Sequence, residues 1–277
     1  MAIRIVTDSS CDLPDAVVTE HGIRVVPLSI RFGDDEFIDR EQLTPAAFWA
    51  KCAASPTLPE TAAPAPGQFE TTYRELAAEG ATGIVVVALS GKLSATLQSA
   101  ELAARSVADD VEVRIVDSRS VSLGVGTMAL AAARAAADGG SLDEVEALAR
   151  GLVERTHVIG TLDTLDNLKK GGRIGNATAL LASALSIKPI IEVRDGEVEQ
   201  AGKQRTRTKA LKFLVDTLRD WDGEIRDLAV LSAACDDVDR FVDMLRPLYD
   251  GEIVVGEIGP VIGTHAGPGT IGVAFHS

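Results

Sequence analysis

Residues 83–96 read Gly83-Ile-Val-Val-Val-Ala-Leu-Ser-Gly-Lys-Leu-Ser-Ala-Thr96, and their order decides the fold class. The run at 83–88 is short, apolar at successive positions and rich in β-branched residues, which predicts a parallel strand buried on both faces. A hydroxyl-bearing loop comes next, then helical spacing over 94–107, then a second β-branched run at 113–116. Working outward, similar runs stand at 3–6 and 24–28, with helical periodicity at 14–20, 45–54, 66–79 and 124–137. Proline near the start of three of these fits its use in the first helical turn. Strand-helix alternation of this kind predicts a parallel sheet with helices on both faces.

A charged helix over 142–156 leads out of this half, and the rest of the chain has another rhythm. A strand is predicted at 157–162, short helices at 165–170 and 177–185, and two strands at 188–193 and 198–205. The last two flank Arg194-Asp-Gly-Glu197, a hairpin signal centred on Asp-Gly. Helix 208–221, strand 228–232, helix 237–248, strand 253–258 and a final strand at 271–275 complete the chain. A hairpin within strand-helix alternation implies a mixed sheet. The expected fold is therefore α/β: an N-terminal three-layer parallel-sheet domain over 1–156, packed against a C-terminal α/β domain with a mixed sheet over 157–277. The ligand site is expected between them, since such interfaces favour pockets.

Composition narrows the function. The chain has 277 residues, enough for ample core, with 46% hydrophobic residues but only 4% aromatics. Its interior must then be built from Ala, Val, Leu and Ile. No apolar run approaches the roughly 20 residues of a membrane span. The N-terminus reads as a first strand rather than a signal peptide. Three isolated cysteines, Cys11, Cys52 and Cys235, lack metal spacing and suit reduced thiols in the cytoplasm. The net charge of −14 argues against nucleic acid as a partner. The charge is uneven: residues 169–212 hold ten Lys/Arg and four Asp/Glu, a local +6. That segment is either two solvated helices or a docking surface for an anionic group or acidic partner.

Familiar catalytic patterns mostly fail. Gly267-Pro-Gly-Thr-Ile-Gly272 matches G-x-G-x-x-G literally, but no βαβ unit comes after it. Gly124-Val-Gly-Thr-Met-Ala129 fits the looser form without the tight strand-to-helix turn. Ser90-Gly-Lys92 lacks the upstream glycine and the following Ser/Thr of a phosphate loop. Four histidines, His21, His157, His265 and His276, are spread without metal spacing. No cofactor is implied. The stretch Gly259-Pro-Val-Ile-Gly-Thr-His-Ala-Gly-Pro-Gly-Thr-Ile-Gly272 predicts an irregular backbone around His265. Its amides, including those of Gly267 and Gly269, would converge on an anion, or would simply form a turn before the last strand.

Hydroxyls gather where predicted strands end: Thr7-Asp-Ser-Ser10 with Asp8 and Ser9, Ser90 to Thr96, and Asp117-Ser118. In a parallel sheet these share the carboxyl edge, where ligands bind. Ser10 or Asp12 also suits the cap of the helix at Pro14, and Ser94 the cap of the next one.

Five segments carry a resemblance to a known family. Thr7-Asp-Ser-Ser-Cys-Asp-Leu13, Leu93-Ser-Ala-Thr-Leu-Gln-Ser-Ala100, Leu168-Lys-Lys-Gly-Gly-Arg-Ile174, Lys188-Pro-Ile190 and Val261-Ile-Gly-Thr-His-Ala-Gly-Pro-Gly269 resemble, in order, the signature segments of DegV-family proteins. The resemblance implies two α/β domains with a long-chain fatty acid buried between them. It also implies a role as the subunit that carries the lipid for bacterial fatty acid kinases. A separate ATP-dependent kinase subunit then phosphorylates the carboxylate of the bound lipid, with at most transient membrane contact by the carrier. Thr61 matches the threonine opening the family's Thr-Ser-Gln-Pro segment, Ser94 the first serine of its Leu-Ser-Gly-Thr segment, and His265 the histidine near the carboxylate. Arg173 matches the arginine linked to kinase engagement, and Lys170, Arg205 and Arg207 would surround it. Two departures stand out: Thr61 precedes Ala62-Ala-Pro64 rather than Ser-Gln-Pro, and Ala95 replaces a glycine.

The physics of such a ligand agrees with the composition. Burying about 15 methylenes at about 0.8 kcal/mol each gives roughly 12 kcal/mol of gross driving force. The carboxylate needs hydrogen-bond donors, since an unpartnered buried charge costs several kcal/mol. A lipid carrier that is not itself an enzyme is the leading expectation. An enzyme acting on a phosphorylated or acyl small molecule, and a lipid-responsive regulatory protein, are the alternatives.

Overall fold

The computed structural model describes residues 2–182 and 187–277. Gly83–Ala88 (β6) is buried at every position, as its sequence requires. It pairs in parallel with Ile3–Asp8 (β1) and Val113–Asp117 (β7), and Arg24–Val26 (β2) extends the sheet beyond β1. The order is β2-β1-β6-β7. Alternation along β6 divides its side chains between two layers. Ile84 and Val86 join Phe69, Tyr73 and Leu76 of Pro66–Ala78 (α3) and Ala100 and Ala103 of Thr96–Ser106 (α4). Val85 and Val87 join Val125, Met128 and Ala132 of Leu123–Ala137 (α5) and Val145 and Ala149 of Leu142–Leu152 (α6).

The second sheet is mixed. Thr156–Thr161 (β8), Lys188–Arg194 (β9), Glu197–Gln204 (β10), Arg226–Ser232 (β11), Val254–Glu257 (β12) and Ile271–His276 (β13) run in the order β10-β9-β8-β13-β11-β12. Among the described strands of this sheet, β11 and β12 are the parallel neighbours. The hairpin joining β9 to β10 turns at Asp195 and Gly196, both at positive φ (51° and 82°), the backbone that Asp-Gly favours. Arg207–Arg219 (α8) and Val238–Leu245 (α9) cover one face, packing Leu211, Leu214 and Phe241 against Val230, Val273 and Phe275.

The other face meets α5. Val158, Ala229, Leu231 and Ala274 share one apolar cluster with α5 and β1. A Cβ at Gly124 would stand 2.4 Å from the Val158 side chain, so glycine lets α5 lie directly on β8. The sequence boundary at 156/157 thus falls at the first residue of β8, while α5 contributes to the core on both sides of it.

Two elements depart from expectation. Residues 24–28 are not one strand: β2 ends at Val26, Pro27 has no amide to continue the ladder, and pairing restarts in a different sheet. That sheet is antiparallel, built from Ser29–Phe32 (β3), Asp35–Ile38 (β4) and Glu60–Ala62 (β5) in the order β4-β3-β5. Pro45–Ala54 (α2) packs Phe48 against Ile30, Phe32 and Val261. Asp15–Glu20 (α1) comes after the first strand's loop, and Asp166–Lys170 (α7) after β8. The stretch expected as helix 177–185 lies within a 3-10 turn, Gly175–Ala182, with residues 183–185 outside the described residues.

Candidate functional site

The C-terminal stretch read as an irregular anion loop is largely helical. Pro260–Ala266 (α10) starts with proline in its first turn. The amides of Gly263 and Gly267 donate to the carbonyls of Gly259 and Gly263 at 2.8 and 2.9 Å, and Gly269 donates to Ala233 at 2.8 Å. Those amides are committed to the fold, so the glycines do not form the expected anion cradle. Gly267 and Gly269, at φ 80° and 78°, end the helix and turn the chain toward β13.

His265 sits in the last turn of α10 and reaches β5. Its Nε2 lies 3.0 Å from Thr61 Oγ1. The end of α7 closes on the imidazole from the other side: a Cβ at Gly171 would come 2.3 Å from Nδ1, a clash that glycine avoids. Asn167 Nδ2 donates to the Thr264 carbonyl at 3.0 Å and ties α7 to α10. Burial, with the Arg173 charge adding to it, pushes the His265 pKa down to about 4. The imidazole is therefore neutral near pH 7. Its Nδ1 is buried without a hydrogen-bond partner.

Ser94 does not cap α4. The cap position is Ala95, and Ser94 Oγ instead pairs with Thr96 Oγ1 at 2.9 Å and accepts from the Thr96 amide at 3.3 Å. Thr61, Ser94, His265 and Arg173 line one cavity of about 220 Å³. Its remaining wall is mainly aliphatic, with Leu89, Leu162, Leu168, Ile191, Val198 and Val261 among its residues. The lining comes from both sides of residue 156, and the polar residues Ser122, Glu192 and Thr270 also reach it. The sequence reading missed these three. Ser122 carries a structural oddity that no spacing rule reveals: a non-glycine at φ 51° before α5.

The other strand-end residues do not line this cavity, and their bonding gives the reason. Asp8 accepts from the Leu89 amide at 2.8 Å and from the hydroxyl and amide of Ser10. Burial raises its pKa, against the pull of those bonds. Ser9 Oγ accepts from the Leu28 amide at 3.1 Å. Ser90 Oγ donates to the Gly196 carbonyl at 2.7 Å, holding the β9–β10 turn, and Ser118 Oγ accepts from the Ser120 amide at 3.1 Å. Asp12 does not cap the helix near Pro14 either. It accepts from the Gly259 amide at 2.9 Å and from the Ser122 hydroxyl at 2.6 Å.

The basic residues separate in the same way. Arg173 does not point outward. Half-buried at the cavity, it donates from Nε to the Leu93 carbonyl at 3.2 Å and from Nη1 to the Gly171 carbonyl at 2.6 Å. Arg207 is tied to Asp237 by two bonds of 2.9 and 2.8 Å and to the Gly269 carbonyl, so it is a structural ion pair rather than a docking group. Lys170 and Arg205 are exposed. Among the described residues, no cluster of three His, Cys, Asp or Glu is placed to hold a metal, and no helix is long and apolar enough to cross a membrane.

Comparison with known proteins agrees across the whole length. The DegV family model matches residues 2–277. A DegV domain-containing protein of Streptomyces coelicolor is 38% identical over 279 residues, covering 99% of this chain and 98% of its own. The structure of a fatty-acid-binding DegV family protein from Thermus thermophilus matches with a TM-score of 0.91 at 38% identity, over 100% of both chains. DegV of Bacillus subtilis, a fatty acid binding protein, matches with a TM-score of 0.88 at 27% identity, over 100% of this chain and 99% of its own. With a family match over 2–277 and solved relatives that superpose from end to end, the chain belongs to the DegV family.

Proposed function

We propose that this protein is a fatty-acid carrier: it sequesters a long-chain fatty acid in the cavity and presents the carboxylate to a separate ATP-dependent kinase. The observation that carries the reading is one cavity with an aliphatic wall and a polar group made of Thr61, Ser94 and His265. With the proton of the neutral His265 on Nε2, the ring donates to Thr61 Oγ1, and the Thr61 hydroxyl proton is left for the lipid carboxylate. Ser94 supplies a second hydroxyl. Bonds of this kind offset the cost of removing a carboxylate from water. The aliphatic wall accepts a flexible chain without imposing one shape on it.

The reading assigns no phosphoryl transfer to this chain. Its cavity carries hydroxyls, a neutral imidazole and one arginine, and the glycines that suggested an anion cradle use their amides internally. The enzyme alternative thereby loses the feature that motivated it. Native mass spectrometry of freshly purified protein tests the proposal. The expected result is added mass matching one or several fatty acids. An empty protein that also fails to take up added long-chain fatty acid would overturn it.

A further inference from the structure

Asp12 lies beside the cavity rather than in it, yet it joins two of its walls. It is 5% exposed, and its two carboxylate oxygens accept from Gly259 and Ser122. Gly259 is the residue from which α10 starts, and Val261, Ile262, His265 and Ala266 of α10 all line the cavity. Ser122 precedes α5, lines the cavity itself and holds a φ of 51° that a serine adopts only when its surroundings impose it. We propose that Asp12 is a positioning residue for the ligand cavity, fixing the start of α10 against the start of α5 and, through α10, His265 against Thr61. The proposal rests on the fatty-acid reading above.

A second, polar cavity of about 370 Å³ lies on the other side of Asp12. The charged groups facing Asp12 there come from each neighbouring element: Asp15 of α1, Asp39 and Arg40 after β4, and Glu257 at the end of β12. Asp8 and Cys11 flank it on its own segment, with Cys11 pushed up to about 12 by burial. Asp39 is 1% exposed, and its buried carboxylate oxygens have no hydrogen-bond partner among the described residues. Burial pushes it up to about 6. Asp12 is pushed up to about 7, first by its own desolvation and then by the charge of Asp39. Asp12 thus borders the polar cavity while its bonds hold the walls of the apolar one.

The ionised carboxylate accepts more strongly than the neutral acid. Above about pH 7 the clamp is tight, and as pH falls through that value the ligand should leave faster. Global stability moves the opposite way. A folded pKa raised above the unfolded 3.8 means the folded chain binds more protons between those values, so this group favours folding as pH falls. A role in stability alone therefore cannot produce faster release in acid.

The test uses the full chain, delipidated and loaded with cis-parinaric acid, with release followed by stopped-flow fluorescence. Wild-type release should quicken roughly tenfold between about pH 8 and about pH 6, the difference between a charge-assisted and a neutral bond. Asp12→Asn should release fast at every pH, and Asp39→Asn should move the midpoint to lower pH by removing the neighbouring charge. Protonation of the fatty acid itself would instead leave the pH dependence intact in Asp12→Asn, and that result overturns the proposal. If Asp12→Asn does not fold, Ser122→Ala carries the test: faster release supports the clamp, and wild-type release overturns it. Normal binding with flat wild-type release defeats the clamp alone, whereas no parinaric acid binding at any pH defeats the fatty-acid reading with it.

Discussion

Thr61 and His265 are 204 positions apart in sequence and 3.0 Å apart in space, and the proposed carboxylate site is built on that pair. If the Thr61 and Ser94 hydroxyls hold the lipid carboxylate, removing either should weaken binding by roughly 1.5–3 kcal/mol, the scale for hydrogen bonds to charged groups. Thr61→Val and Ser94→Ala should stay folded, with release of fatty acid accelerated in both. Since Ser94 does not cap α4, a loss of stability with wild-type affinity is not the expected result, and affinity unchanged in both variants would refute the assignment. The imidazole makes a prediction of its own. With a folded pKa of about 4 against 6.5 unfolded, His265 favours the folded state fully above about pH 6.5 and loses that contribution as pH falls toward 4. Its ring C–H resonance in an NMR titration should stay flat from about pH 8 to about pH 5. A midpoint near 6.5 would mean that the ring is not shielded by α7 and β5 as described.

At the scale of elements, strands with uninterrupted apolar runs were legible because burial on both faces leaves a continuous signal. β6 is the clearest case, and the β9–β10 hairpin was equally legible from its Asp-Gly turn. The β3–β4–β5 sheet was not, since its strands are three or four residues long and Pro27 sits between two runs that look like one. Ser29-Ile-Arg-Phe32 before Gly33-Asp34 carried a faint hairpin signal, with Gly33 at φ 62°. Thr61 was found by resemblance to a family segment; that it rides on β5 and faces α10 depends on a sheet the pattern did not show. The glycines of α10 misled in the opposite direction. A helix with Gly263 in its middle is disfavoured by propensity, but that glycine packs against the Phe48 and Trp49 rings, where a Cβ would come within 2.9 Å of Trp49. Packing overrode propensity. Arg207 was likewise misassigned, because its partner Asp237 lies 30 positions on. Arg207→Ala should lower folding stability by roughly 1.5–3 kcal/mol, seen as a reduced denaturant midpoint, while leaving lipid affinity unchanged. Full stability in that variant would show that the ion pair with Asp237 contributes nothing.

Over the whole molecule, a local +6 across residues 169–212 sits on a protein of net −14, and the cavity's polar group lies beside that segment through Arg173 and Gly171. On the carrier reading proposed above, the lipid carboxylate would lie beside this segment, where a kinase could reach it without extracting the chain. Arg173 is the residue where the two meet. Its guanidinium is anchored to the carbonyls of Leu93 and Gly171, the neighbours of Ser94 and of the His265 imidazole. Held at the cavity rather than on the surface, it would, on that reading, meet the added negative charge of an acyl phosphate rather than the apolar chain. We therefore expect Arg173→Ala to retain bound fatty acid in native mass spectrometry but to lose acyl phosphate formation in a reconstituted kinase assay. Arg173→Lys should rescue poorly, because an ammonium cannot reproduce the planar fork that bonds two carbonyls and an anion together. Exposed Lys170 and Arg205 should behave differently: their alanine variants weaken kinase association, and the effect fades at high salt as screening removes the wild-type advantage. If Arg173→Ala instead loses its lipid, the guanidinium belongs to the carboxylate site itself. If acyl phosphate forms normally with this variant, the link between Arg173 and the kinase is wrong.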